Sequence, residues 1–176
     1  DNSPPPLPDA YAEIVRKHVT RLGLKVMFEP GRLIVGNAGI LVSEVIYVKE
    51  GDARNFLIVD AAMNDLIRPT LYDAFHDIRP VVQPPASTPR MKVDVVGPVC
   101  ETGDFLGHDR DLPRLKAGDL IAVSTAGAYG AVQAGTYNTR LLVPEVLVDG
   151  DRFHVVRPRQ TYENLIELDS VPDWLK

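Results

Sequence analysis

"GILVSEVIYVKEGDARNFLIVDAA", residues 39 to 62, decides the fold class. β-Branched residues dominate both halves, and a charged, glycine-containing stretch at 49 to 55 separates them. Branched side chains suit a pleated, half-buried surface better than a helix. The segment therefore predicts two strands joined as a hairpin. The same pattern recurs downstream. "MKVDVVGP" at 91 to 98 reads as a strand running into a Gly-Pro loop, and "DLIAVST" at 119 to 125 as another. "TRLLVPEVLVDGDRFHVVRPR", starting at Thr139, reads as two strands around an Asp-Gly turn at 149 to 150. "MNDLIRPTLYDAFHDI" holds a helical turn or two, with Pro69 suited to a first-turn position. "TPRMKV" and the turn-rich "GHDRDLPRLKAGD" read as connectors, and the tail "TYENLIELDSVPDWLK" as short and acidic.

Upstream of residue 35 the pattern differs. The prolines of "DNSPPPLPD" predict an extended linker. A helix fits Asp9 to Leu22, with Tyr11, Ile14, Val15, Val19 and Leu22 on one face, Asp9 as N-cap and Gly23 as stop. "LKVMF" at 24 to 28 predicts a buried strand ending in the polar turn "EPGR", which is how one unit of an α/β barrel ends. The expected architecture is mostly β with some α. Residues 1–35 form the last helix and strand of an incomplete α/β barrel, and residues 36–176 an antiparallel, barrel-like β domain. One helix and one strand cannot close a barrel, so the chain reads as a fragment whose first domain begins elsewhere.

Bulk properties exclude several classes. The 176 residues are 45% hydrophobic and carry a net charge of −5, with no basic stretch dense enough to track a phosphate backbone. No apolar run is long enough for a membrane span. The N-terminus has neither the basic nor the apolar segment of a signal peptide. One cysteine cannot close an intrachain disulfide, which fits a reducing cytoplasm. His18, His76, His108 and His154 are scattered without zinc spacing, so no metal site is expected.

Four short motifs carry candidate chemistry, and each has a plainer reading. In "EPGR", Glu29 suits a protonated ring nitrogen or another cation, and the planar fork of Arg32 suits a phosphate or carboxylate. The same four residues also make an ordinary surface turn with an ion pair. Arg68 and Tyr72 of "RPTLY" fall on one face of a helical turn, as a carboxylate-binding pair or a routine surface contact. In "GPVCETGD", Cys100 sits among Gly97, Pro98, Glu101, Gly103 and Asp104, which suggests a loop rather than a core. Carboxylates nearby favour a protonated S–H donor over a strong nucleophile. In "AGAYG", small residues around Tyr129 admit a ligand, or form a tight turn with a packed aromatic.

In this order and spacing, the four motifs resemble the C-terminal half of the diaminopimelate decarboxylases. These are pyridoxal-phosphate enzymes of the alanine racemase-like, fold-type III class, with an N-terminal α/β barrel and a C-terminal β domain. The resemblance runs from the helix before "EPGR" to the strands near residue 160. It implies that Glu29 faces the cofactor's pyridine nitrogen, and that Pro30, Gly31 and Arg32 lie in the segment against its phosphate, with Arg32 also reaching substrate. It implies that Arg68 and Tyr72 bind substrate and that Tyr129 touches cofactor and substrate. Cys100 resembles the acid that protonates the substrate carbon after carbon dioxide leaves, and Glu101 the group that binds substrate beside it. In the family, these last two serve the active site of the partner subunit, so a homodimer is the catalytic unit. Sister ornithine and arginine decarboxylases have a similar cysteine followed by Asp, so Glu101 favours the diaminopimelate branch. A racemase of the same fold, or a dimerisation or binding module without activity, are the other readings. The lysine that holds the cofactor covalently has no counterpart among Lys17, Lys25, Lys49, Lys92, Lys116 and Lys176. The chain is therefore expected to be inactive alone.

Overall fold

The computed structural model describes residues 7 to 175; the proline-rich linker at 4 to 6 lies outside them. The chain forms two compact units, one ending at Pro30 and the other beginning at Gly31.

The first unit holds helix α1 (Pro8–His18), followed by a single 3-10 turn (Thr20–Leu22). Gly23 stops it as expected, with φ 64° and its N–H on the Thr20 carbonyl. The N-cap is Leu7, not Asp9, because Pro8 takes the first helical position, where a missing N–H costs nothing. Asp9 instead contributes charge to the first turn. The apolar face is amphipathic as predicted, yet Tyr11, Ile14 and Leu22 are all more than half exposed. Tyr11 packs edge-on against Phe28, with ring centroids 5.9 Å apart. "LKVMF" is not a strand: residues 24 to 30 carry no regular structure. A strand needs a hydrogen-bonded neighbour, and no described segment pairs with it.

The second unit is built on a six-stranded, barrel-like sheet and a separate two-stranded one. Helix α2 (Gly31–Val35) leads into β1 (Leu41–Lys49), which turns back into β2 (Phe56–Val59). The hairpin read from residues 39 to 62 is present, with Lys49 opposite Phe56. An extra residue at Ile46 shifts the register, so Val45 pairs with Val59 but Tyr47 with Ile58. Helix α3 (Arg68–Tyr72) and the short β3 (Ile78–Pro80) precede β4 (Arg90–Val96), β5 (Phe105–Pro113) and β6 (Leu120–Val123). A second hairpin, β7 (Glu145–Asp149) and β8 (Arg152–Arg157), forms around Gly150 at φ 63°. Helix α4 (Tyr162–Ile166) follows, closed at its start by reciprocal Thr161–Asn164 capping.

Spatial order in the large sheet is β3-β6-β1-β2-β4-β5. It departs from the expected all-antiparallel pattern at one place, where β2 and β4 run parallel. A parallel pair requires a crossover, and the 60 to 89 segment supplies it with α3 and β3 inside. The core is aliphatic and lies within the sheet: Val45, Leu57, Val59, Leu66, Val95, Leu106, Ile121 and Val123 are at most 2% exposed. Each such side chain contributes roughly 1.5–3 kcal/mol by leaving water.

The connector reading of "GHDRDLPRLKAGD" is corrected, since β5 occupies its first half, and "TPRMKV" runs into β4. The reason is Asp94. It is 4% exposed and accepts the Asp109 N–H at 2.8 Å, Arg54 at 2.8 Å and His108 Nδ1 at 3.3 Å. Asp109 adopts φ 53° there, and the register shifts between Val93 and Val95. A buried carboxylate thus holds a bulge, and the polar run around it hides a strand.

Candidate active site

Strand directions place the candidate residues. β1 is antiparallel to both β2 and β6, and β2 is parallel to β4, so β2, β4 and β6 all point the same way. Their C-terminal ends, and the N-terminal end of β1, therefore share one end of the sheet. Arg32 precedes β1, Arg68 and Tyr72 follow β2, Cys100 and Glu101 follow β4, and Tyr129 follows β6. Glu29 and Pro30 are exposed residues of the first unit. "EPGR" is not one turn: it straddles the two units, and Gly31 opens α2.

Two backbone hydrogen bonds fasten the 3-10 turn after α2 (Gly36–Ala38) and its end at Gly39 to the turn after β6. Ala126 N–H donates to the Gly39 carbonyl at 2.8 Å and Gly127 N–H to Gly36 at 3.0 Å. A Cβ on Gly127 would stand 2.0 Å from the Val35 oxygen, so only glycine fits. Thr125 Oγ1 also reaches Asn37 Oδ1 at 2.9 Å. Beyond this clamp Tyr129 takes φ 57°, a strained conformation for an aromatic residue, and its ring is half exposed.

The guanidinium of Arg68 lies 5.9 Å from the Tyr72 ring centroid and 5.8 Å from that of Tyr129. A guanidinium facing aromatic rings is attracted by their quadrupoles. Arg68 is only 8% exposed, and its Nε donates to His76 Nε2 at 3.3 Å. His76 Nδ1 lies 2.9 Å from the Ser124 carbonyl. Burial pushes the His76 pKa below its ordinary value. The Ser124 bond opposes this, and the charges of Arg68, Arg32 and Arg110 add to the depression.

The Cys100 loop is held from below. Asp104, 4% exposed, accepts Met63 N–H at 2.7 Å and Val99 N–H at 2.6 Å, while its own carbonyl accepts Gly97 N–H. Cys100 and Glu101 are exposed on the rim. Glu101 accepts Gly103 N–H at 3.3 Å and lies 3.5 Å from the Tyr137 hydroxyl. Thr70 Oγ1 donates to the Gly103 carbonyl, tying α3 to this loop. Asn64 Nδ2 fixes the Tyr137 segment by donating to the carbonyls of Gly135 and Tyr137.

Sequence reading missed Thr70, His76, Asp104 and Tyr137 as parts of this assembly. Asp104 stood in the quoted loop, but the bond that ties it to the rest of the unit, from Met63 N–H, spans 41 residues. His76 was weighed only for metal spacing. Among the described residues no group of three His, Cys, Asp or Glu side chains is placed to hold a metal ion. Nor is any helix long and apolar enough to cross a membrane.

The sheet matches a family model, that of the C-terminal sheet domain of pyridoxal-dependent decarboxylases. The chain belongs to that family, whose model matches residues 10–127. The more particular likeness is to diaminopimelate decarboxylases. That of Zymomonas mobilis is 46% identical over 99% of this chain and 41% of its own length. That of Pseudomonas aeruginosa is 51% identical over 95% of this chain and 40% of its own. Among solved structures, the M. jannaschii diaminopimelate decarboxylase superposes with a TM-score of 0.90 at 32% identity, covering 99% of this chain and 41% of that one. The Helicobacter pylori enzyme complexed with L-lysine gives 0.85 at 39%, covering 96% and 41%. The resemblance drawn from the four motifs holds. The chain spans about two fifths of the length of the curated relatives it matches.

Proposed function

We propose that this chain is the C-terminal portion of a cytoplasmic, homodimeric diaminopimelate decarboxylase that converts meso-2,6-diaminopimelate to L-lysine. Residues 1–35 would complete its α/β barrel and residues 36–176 form its β domain. The observation that carries the reading is the convergence of the Arg32, Arg68, Tyr72, Cys100, Glu101 and Tyr129 segments at one end of the sheet.

The donor set fits pyridoxal phosphate on its non-covalent side. Gly127 brings backbone close to α2, Tyr129 offers a half-exposed phenol, and Arg32 offers a guanidinium with five donors. The lysine for the cofactor's aldehyde belongs to the part of the enzyme outside this chain. When bound, pyridoxal phosphate draws electrons away from the substrate α-carbon, so that the carboxylate can leave as carbon dioxide.

The chain's own residues perform the rest. Glu29, by the family resemblance, would favour a proton on the ring nitrogen. Arg32 would hold the phosphate, and Tyr129 would contact cofactor and substrate. Arg68 and Tyr72 take the carboxylate that stays on the substrate, the guanidinium by paired hydrogen bonds. Glu101 answers an ammonium group in the partner subunit's site. Cys100 delivers its S–H proton there, to the carbon whose bond to carbon dioxide has broken.

The test is substrate profiling of the full-length protein. Release of L-lysine from meso-diaminopimelate, with little turnover of ornithine, is the expected result. Activity on ornithine but not on meso-diaminopimelate would overturn the assignment. The chain alone, incubated with pyridoxal phosphate and borohydride, should show no label on a lysine.

A further inference from the structure

Arg68 is held on one side by aromatic rings and on another by a histidine whose tautomer the geometry dictates. A carbonyl oxygen only accepts, so the 2.9 Å contact to Ser124 requires the His76 proton on Nδ1. The remaining nitrogen, Nε2, then carries a lone pair and accepts the Arg68 Nε–H at 3.3 Å. A second proton on the ring would set N–H against N–H and leave Arg68 Nε without its acceptor. His76 is 2% exposed, so water cannot substitute.

We propose that His76 is a positioning residue for carboxylate recognition: neutral, it aims the Arg68 guanidinium between Tyr72 and Tyr129, and on protonation it lets Arg68 go. The proposal rests on the reading of Arg68 as the substrate-carboxylate ligand. The groups acting on the ring are cationic: Arg68 from α3, Arg32 from α2 and Arg110 from β5, together with the Ser124 carbonyl after β6. The adjacent acid, Asp77, is paired with Arg79. Burial and these three charges all favour the neutral ring. His76 touches neither reacting atom nor cofactor in this scheme; it acts through Arg68.

Two substitutions in the full-length enzyme separate its two hydrogen bonds. His76→Gln can place an oxygen near the position of Nε2 and keep an acceptor for Arg68. His76→Asn can keep a donor near Nδ1 for Ser124 and lose that acceptor. His76→Asn should raise KM for meso-diaminopimelate about tenfold with kcat little changed, and His76→Gln should stay within about threefold of wild type. L-Lysine, which keeps a carboxylate, should weaken as an inhibitor by the same factor as KM. 1,5-Diaminopentane, which has none, should not. Wild-type KM should also rise as pH falls below the ordinary histidine range, and His76→Gln should remove that rise.

Equal losses in both variants, or a melting-temperature drop with KM unchanged, would mean that His76 serves only the fold. A wild-type KM independent of pH in that range overturns the proposal even if neither variant folds. Wild-type enzyme inactive on meso-diaminopimelate would refute the functional reading first. Active wild type with an unaltered His76→Asn refutes the His76 proposal alone.

Discussion

The Thr70 hydroxyl donates to the Gly103 carbonyl, and through this bond the helix of Arg68 and Tyr72 meets the loop of Cys100 and Glu101. The contact is close on its apolar side too, since a Cβ on Gly103 would stand 2.6 Å from Thr70 Cγ2. Thr70→Val keeps the shape and removes the donor. It should cost about 1 kcal/mol of stability in denaturant titration and lower kcat/KM several-fold, whereas Thr70→Ser should recover most of both.

Asp104 holds the same loop from inside the molecule. Asp104→Asn sets an amide against two backbone N–H groups that now share one carboxylate. A loss of about 2–3 kcal/mol is expected, with reduced turnover and unchanged cofactor absorbance. Gly97→Ala should resemble it, because the added Cβ would lie 2.4 Å from Asp104 Oδ2.

Cys100→Ala in the full-length enzyme should lower kcat by about 10²–10⁴ while leaving cofactor binding intact. If Cys100 serves its neighbour's site, mixing Cys100→Ala subunits with Arg32→Ala subunits should restore about a quarter of wild-type activity, as random pairing of a two-fold dimer dictates. No recovery after subunit exchange would place Cys100 in its own subunit's site.

Asp94 makes stability depend on acid. Burial pushes its pKa up, but the Asp109 N–H, Arg54 and His108 bonds outweigh that, and the net value lies below the ordinary aspartate value of 3.8. The folded state therefore binds fewer protons than the unfolded chain. The contribution is complete above the unfolded value and is lost as pH falls through the folded one. Asp94→Asn should flatten the acid limb of a melting-temperature profile and lower the plateau at neutral pH. A parallel downward shift of the whole profile would contradict this.

The β7–β8 hairpin leaves Leu147, Val148, Phe153 and Val156 between 56% and 74% exposed. Apolar surface of this kind draws chains together. The chain studied alone should self-associate in sizing and sedimentation experiments. A monodisperse monomer would count against it.

Much of the fold was readable because the information was local. Branched residues at 41 to 49 and 56 to 59, the Asp-Gly turn at 149 to 150 and Pro69 each state their own conformation. β5 was hidden because its polar run answers Asp94, a residue on another strand. "LKVMF" misled in the opposite sense, since apolar alternation says nothing about whether a neighbouring strand exists. The site divides in the same way. Arg68, Tyr72, Cys100, Glu101 and Tyr129 were candidates by motif. His76 meets Arg68 only 8 residues away, but Thr70, His76 and Asp104 are also anchored by bonds that span 33, 48 and 41 residues, and no short window of sequence holds both ends of those.

The parallel pairing of β2 with β4 has a kinetic consequence. The β1–β2 hairpin closes over a short turn, whereas β4 can dock on β2 only after the loop from 60 to 89 has been drawn in. That loop carries Arg68, Thr70 and His76, and their counterparts sit beyond β4 and β6. Closing the long loop costs entropy before any contact repays it. During refolding, native strand signal should thus appear before the grip on Arg68 does, so the surroundings of Arg68 are the part of this molecule assembled last.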